Sequence, residues 1–159
     1  MNEGQIGYIM FFNKPFDIKP EESPVNFLDK FEEWGVDPAQ LTDKKQQTDK
    51  KIEYVRDYVA RWVEISAARS DVNTITFIDC MSNAGVYKDG ECCTAIEVLD
   101  VFCNIAARFP QKCFRIFCND NDKAKIEILK KVFAAVIGPN CKNVRFYTSK
   151  VDVINSATK

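Results

Sequence analysis

Two aspartates, each closing an apolar run, are the residues of this chain best placed to do chemistry. Asp79 ends Thr74-Ile75-Thr76-Phe77-Ile78, and Asp120 follows Cys113-Phe114-Arg115-Ile116-Phe117-Cys118-Asn119. Between them lie a glycine-bearing loop, Cys80 to Gly90, and a stretch with the apolar period of a helix. Strand, acid, loop, helix, strand, acid is the layout of a nucleotide-cofactor site at the carboxyl ends of a parallel sheet. The loop lets backbone approach a ligand, and the second acid can accept hydrogen bonds from ribose hydroxyls.

The loop narrows the choice of ligand. A pyrophosphate-cradling fingerprint repeats glycine where this chain has Met81 and Asn83, leaving only Gly85 and Gly90. That counts against NAD or FAD and is tolerable for S-adenosylmethionine, which has no pyrophosphate to seat. Asn83 can still take a left-handed backbone.

Each acid has two readings. Asp79 either organises the amino group of a bound methionine moiety or is a turn acid satisfied by loop amides. Asp120 is either a ribose acceptor or one more member of the polar turn Asn119-Asp-Asn-Asp122, in which Asp122 is an N-cap. Asp152 could flank an adenine pocket, but an ordinary solvated acid explains it better. Tyr87, Lys88 and Asp89 are either ordered by the cofactor or plain loop. Cys92 and Cys93 lie near a helix N-terminus, where a thiolate is favoured, but with no histidine base and no supporting motif a nucleophilic role is not expected.

Composition removes several chemistries. The chain has no histidine among its 159 residues, so Ser/His and Cys/His catalysis and histidine metal ligation are all excluded. Its seven cysteines form no CxxC pair, and no metal site is expected. An odd cysteine count without a secretory pattern predicts reduced thiols and a cytoplasmic location. A net charge of −1 gives no global field for nucleic acid, and no apolar run is long enough for a membrane span.

The positioning elements follow from apolar spacing. Residues 1–47 read as an irregular arm broken by Pro15, Pro20, Pro24 and Pro38. It contains the apolar patch Ile6–Phe12, a short strand or a docking arm, and a short helix over 24–34 capped by Ser23. A helix is predicted over 48–68, capped by Thr48 or Asp49, with Ile52, Val55, Tyr58, Val59, Trp62 and Val63 as its apolar stripe. Strands over 74–80, 113–119 and 143–148 then alternate with helices over 92–108 and 122–137, the last stopped by Gly138-Pro139. This alternation implies parallel βαβ units.

The run Phe77-Ile78-Asp79-Cys80-Met81-Ser82-Asn83-Ala84-Gly85-Val86-Tyr87-Lys88-Asp89-Gly90 resembles the signature of the three-Cys-motif partner proteins. Lys51 to Trp62 is similar to the lysine-tyrosine-tryptophan helix of that family, and Asp120-Asn121-Asp122 with Leu129 to its second-strand turn and helix. The family has glycine where Asn83 stands, and Gly-Ser-Pro where this chain has Cys93-Thr94-Ala95. The resemblance, over roughly residues 42–150, implies a class I S-adenosylmethionine-dependent methyltransferase-like core. It also implies cofactor contacts at Asp79, Gly85 and Asp120, to which the reading of the loop adds Asn83 and Tyr87.

The expected fold is therefore an α/β, Rossmann-like, methyltransferase-type parallel sheet with flanking helices. Residues 1–47 form the arm, and 48–159 an incomplete domain that is only the first half of the sheet. Its first strand would need neighbours on its open side, from a remaining C-terminal half, which is the favoured reading, or from a partner protein. A non-catalytic interaction module of the same fold is the alternative function. No methyl-acceptor residue can be assigned.

Overall fold

A computed structural model describes residues 26–137 and 141–151. A 3-10 turn, Leu28–Lys30, leads into α1 (Phe31–Trp34), and a second turn covers Pro38–Gln40. Then come α2 (Thr48–Ala68), β1 (Thr74–Asp79), α3 (Thr94–Ala106), β2 (Cys113–Asn119), α4 (Lys123–Val136) and β3 (Val144–Ser149). The strands form one parallel sheet in the order β1-β2-β3. The predicted α/β alternation is therefore present, with element ends shifted by a residue or two.

The differences at the ends have local causes. Cys93 has extended φ/ψ and is the N-cap of α3, so the helix starts after the two cysteines instead of on them. Asp122 caps α4 as expected, its carboxylate accepting the Ala124 N–H at 2.8 Å. Neither Thr48 nor Asp49 caps α2; Gln47 holds that position without a side-chain bond. Of the expected 24–34 helix, the described part is a 3-10 turn plus one α turn, ended by Gly35 in the left-handed region. Ile6–Phe12, Ser23, Pro24, Gly138-Pro139 and Asp152 lie outside the described residues.

One face of the sheet carries the core. Ile75, Phe114 and Val144 are register partners across all three strands, and all are buried. Phe114 meets Phe102 of α3 edge-to-face at 5.8 Å, and Phe133 of α4 stacks on Phe146 of β3. Helix α2 packs on α3, and α3 on α4, so the helices make a single layer. Lys112, buried, donates from Nζ to the carbonyls of Arg69 and Val72, tying the end of α2 to the start of β2.

The other face is open among the described residues. The row Ile78, Phe117 and Tyr147 is 65%, 39% and 42% exposed, with the Phe117 and Tyr147 rings stacked at 4.5 Å. A parallel sheet normally has helices on both faces. The strands, apolar on both sides, are thus covered on one face only among the described residues. Tyr58 and Trp62 of the expected α2 stripe likewise stand 70% and 37% exposed, beside the buried Ile52, Val59, Val63 and Ala67.

Candidate cofactor site

Asp79 and Asp120 sit at the carboxyl end of the sheet, after adjacent strands, as the sequence layout requires. The loop between β1 and α3 is held to this end by hydrogen bonds from its own backbone. Asp79 Oδ1 accepts the Met81 N–H at 3.0 Å, closing an Asx turn. Asp120 Oδ2 accepts the Asn83 N–H at 3.0 Å, and its Oδ1 accepts the Asp122 N–H at 3.0 Å. One carboxylate thus fastens the loop after β1 to the turn after β2.

Burial raises the Asp79 carboxyl above its ordinary value, and the neighbouring Asp120 charge adds to this, against the Met81 N–H and Lys51. A group raised in the folded state favours folding while protonated, and that contribution is lost as pH rises through its folded value. Asp79→Asn keeps the acceptor for Met81 and carries no charge. Its urea midpoint is expected to exceed that of the parent at pH 7, the gap closing as pH falls through about 4. A midpoint below the parent's at pH 7 would contradict this.

Asn83 has φ +58 and is the one described non-glycine residue in the left-handed region, where asparagine is tolerated. Its Oδ1 accepts from the Thr42 hydroxyl at 3.3 Å. Gly85, at φ +82, packs into the core, where an added Cβ would lie 2.7 Å from Leu129 Cδ1. Its need for glycine is therefore explained by the fold itself. Tyr87 is half-buried against Cys93, and burial pushes its hydroxyl up. The Tyr87 N–H donates to the Glu91 carbonyl at 2.9 Å, making a small hairpin with the Val86–Cys92 bridge.

The structure brings Asp79, Asn83 and Asp120 together, while Gly85 packs against α3 and α4 and Tyr87 against Cys93 at the start of α3. Cys92 and Cys93 sit where the neutral thiol is favoured. Burial is the first cause that pushes each thiol up to about 12, outweighing the helix N-terminus that was expected to favour a thiolate. Among the described residues no cluster could hold a metal ion.

Several residues that build this end of the sheet were not singled out in the sequence. Asn119 Nδ2 donates to the carbonyls of Cys80 (3.2 Å) and Val151 (2.9 Å), while its Oδ1 accepts from Ser149 Oγ (2.7 Å) and the Val151 N–H (2.9 Å). Ser82, buried, donates from both N–H and Oγ to the Asn119 carbonyl. Lys44 pairs with Asp49 and Glu91; although burial pulls it down, these two acids hold it at about 12. The sequence signals for these were the polar cluster Asn119–Asp122 and, for Lys44, a lysine cluster at the start of α2 that reads as a solvated face.

Compared with known protein families, with curated proteins and with solved structures, the chain matches none. Function must therefore be argued from the site. Among the described residues, no helix is long and apolar enough to cross a membrane.

Proposed function

We propose that this chain is the cofactor-binding half of an S-adenosylmethionine-binding, methyltransferase-like protein of the three-Cys-motif partner type, acting in the cytoplasm. The supporting observation is the acid pair Asp79 and Asp120 at adjacent strand ends, with left-handed Asn83 donating its N–H to Asp120 and Met81 donating its N–H to Asp79. S-Adenosylmethionine presents an ammonium, a sulfonium and ribose hydroxyls, all of which suit carboxylates in a partly buried setting. Each oxygen of Asp120 takes one N–H and retains a lone pair for a hydroxyl. Asp79 accepts one loop N–H and keeps its charge available for the ammonium. When bound, the cofactor supplies an electrophilic methyl group; this half of the fold contributes position and charge. Acceptor residues would come from outside this half, from a C-terminal remainder or a partner protein.

Calorimetric titration with S-adenosylmethionine and its demethylated product tests this reading. Binding of either is the expected result, and no heat at high micromolar ligand with folded protein would remove it. Asp120→Ala is a poor probe of ribose contact, because the loop depends on the same carboxylate. Removing hydroxyls from the ligand leaves the protein intact. Adenosine is expected to bind about 10- to 100-fold tighter than 2′,3′-dideoxyadenosine, the loss of a hydrogen bond to a charged group. Equal affinities would take Asp120 out of the ribose role.

A second reading, a non-catalytic interaction module of the same fold, is favoured by one specific observation. The fold already accounts for Gly85, and the turns already use Asp79 and Asp120, so none of the three requires a ligand. Absence of heat in the titration, with an intact fold, selects this reading.

A further inference from the structure

We infer that the open edge of β1 is a strand-addition site, and that the chain's own segment Ile6–Phe12 is its occupant. The inference is independent of any cofactor.

Cys113 N–H donates to the Asn73 carbonyl at 2.9 Å, which fixes the phase of the β1–β2 ladder. Alternation along a parallel pair then turns the N–H groups of Thr76 and Ile78 away from β2, toward the open side. Beside them a groove of about 400 Å³ runs between β1 and α2, lined by Tyr54, Tyr58, Trp62, Thr76, Phe77 and Ile78 among others. Tyr54, Tyr58 and Trp62 recur every four residues on a shoulder of α2 that the core does not use, and Tyr54 is 72% exposed. Unpaired edge groups beside an apolar wall are what an added strand satisfies.

The charge pattern and reach of the segment fit this edge. Ile6-Gly7-Tyr8-Ile9-Met10-Phe11-Phe12 carries no charge and is apolar at both odd and even positions. A strand added to β1 would meet the α2 aromatics on one face and extend the exposed Ile78–Phe117–Tyr147 row on the other. An alternating strand would fit only one of these. Its seven residues are enough to run the length of the six-residue β1. The described chain starts at Asn26, anchored where the Phe27 N–H donates to the Gly90 carbonyl at 2.8 Å, at the carboxyl end of β1. Residues 13–25 can span up to about 43 Å, ample to return along the edge. Tethering also gives the segment a high effective concentration over any second molecule. Residues 152–159, by contrast, follow β3 at the opposite edge and are mostly polar.

The test is amide hydrogen exchange by NMR on the full chain, and on the double variant Tyr8→Pro/Ile9→Pro. Adjacent residues point their N–H groups to opposite sides, so the pair removes a ladder bond in either register. Thr76 and Ile78 amides are expected to be protected in the parent and to exchange at least tenfold faster in the variant. Unchanged Phe114 and Ile116 exchange would report an intact sheet. Unprotected Thr76 and Ile78 in the parent would overturn the inference. So would protection that survives both prolines, and if such protection grew with protein concentration the edge would belong to a second copy.

Discussion

Gly85→Ala is expected to cost about 2–4 kcal/mol, measured by urea denaturation, from two separable causes. The first is backbone. At φ +82 an L-residue is strained by about 1–2 kcal/mol. The second is packing. The new methyl would lie 2.7 Å from Leu129 Cδ1 and 3.3 Å from Ile96 Cδ1. Both side chains are buried in the core, so neither tip has open space to move into. Gly35→Ala is the internal control. That glycine is also left-handed, at φ +62, but nothing lies within 4 Å of an added Cβ. It should show the backbone cost alone, about 1–2 kcal/mol. If the two variants lose the same amount, Gly85 is not packed as described, and close approach of a ligand regains its place as the reason for glycine there.

Phe114→Ala is expected to cost about 3–5 kcal/mol, a large share of the roughly 5–15 kcal/mol that stabilises a domain. Phe114 is fully buried in the central strand, with Ile75 and Val144 as its register partners and the Phe102 ring against its own. Removing the ring leaves a cavity between sheet and helix layer that rigid strands on both sides cannot collapse. Phe117, three residues along the same strand, is the comparison, since its side chain lies on the open face. Phe117→Ala should cost no more than about 1 kcal/mol, as expected for a half-exposed ring. Equal losses at the two positions would mean that the outer face is covered in solution as thoroughly as the inner one.

Much of the fold was legible because it depends on local rules. Helical apolar spacing set α2 and α4 to within a residue, and Asp122 was readable as a cap because its role needs only the next two residues. The positions of Asp79 and Asp120 after consecutive parallel strands were readable for the same reason. Hydrophobic runs identify strands, and βαβ order places their ends on one side of a sheet.

What a strand's two faces meet is not local. Ile78, Phe117 and Tyr147 carry the same apolar signal as Phe114 and Ile116, and nothing in their spacing says that only one layer of helices forms. The glycines posed the same difficulty. Gly85 in a loop after a strand is compatible with ligand approach or with helix packing, and only the position of Leu129, far along the chain, decides between them. At Cys92 and Cys93 the helix N-terminus is a local cue that favours a thiolate, whereas the burial that raises both thiols comes from elements distant in sequence and outweighs it.

The sequence by itself determined the alternation of elements, the parallel sense of the sheet and the placing of two acids at its carboxyl end, because propensity, capping and apolar period act over a few residues. Tertiary structure alone decided that Asp120 fastens the loop through Asn83, that among the described residues helices cover only one face of the sheet and no strand lies beside β1, and that Asn119 holds three strand ends together. Each of those depends on which distant groups a backbone N–H or a side chain reaches after the layers have packed, and no short window of sequence contains that information.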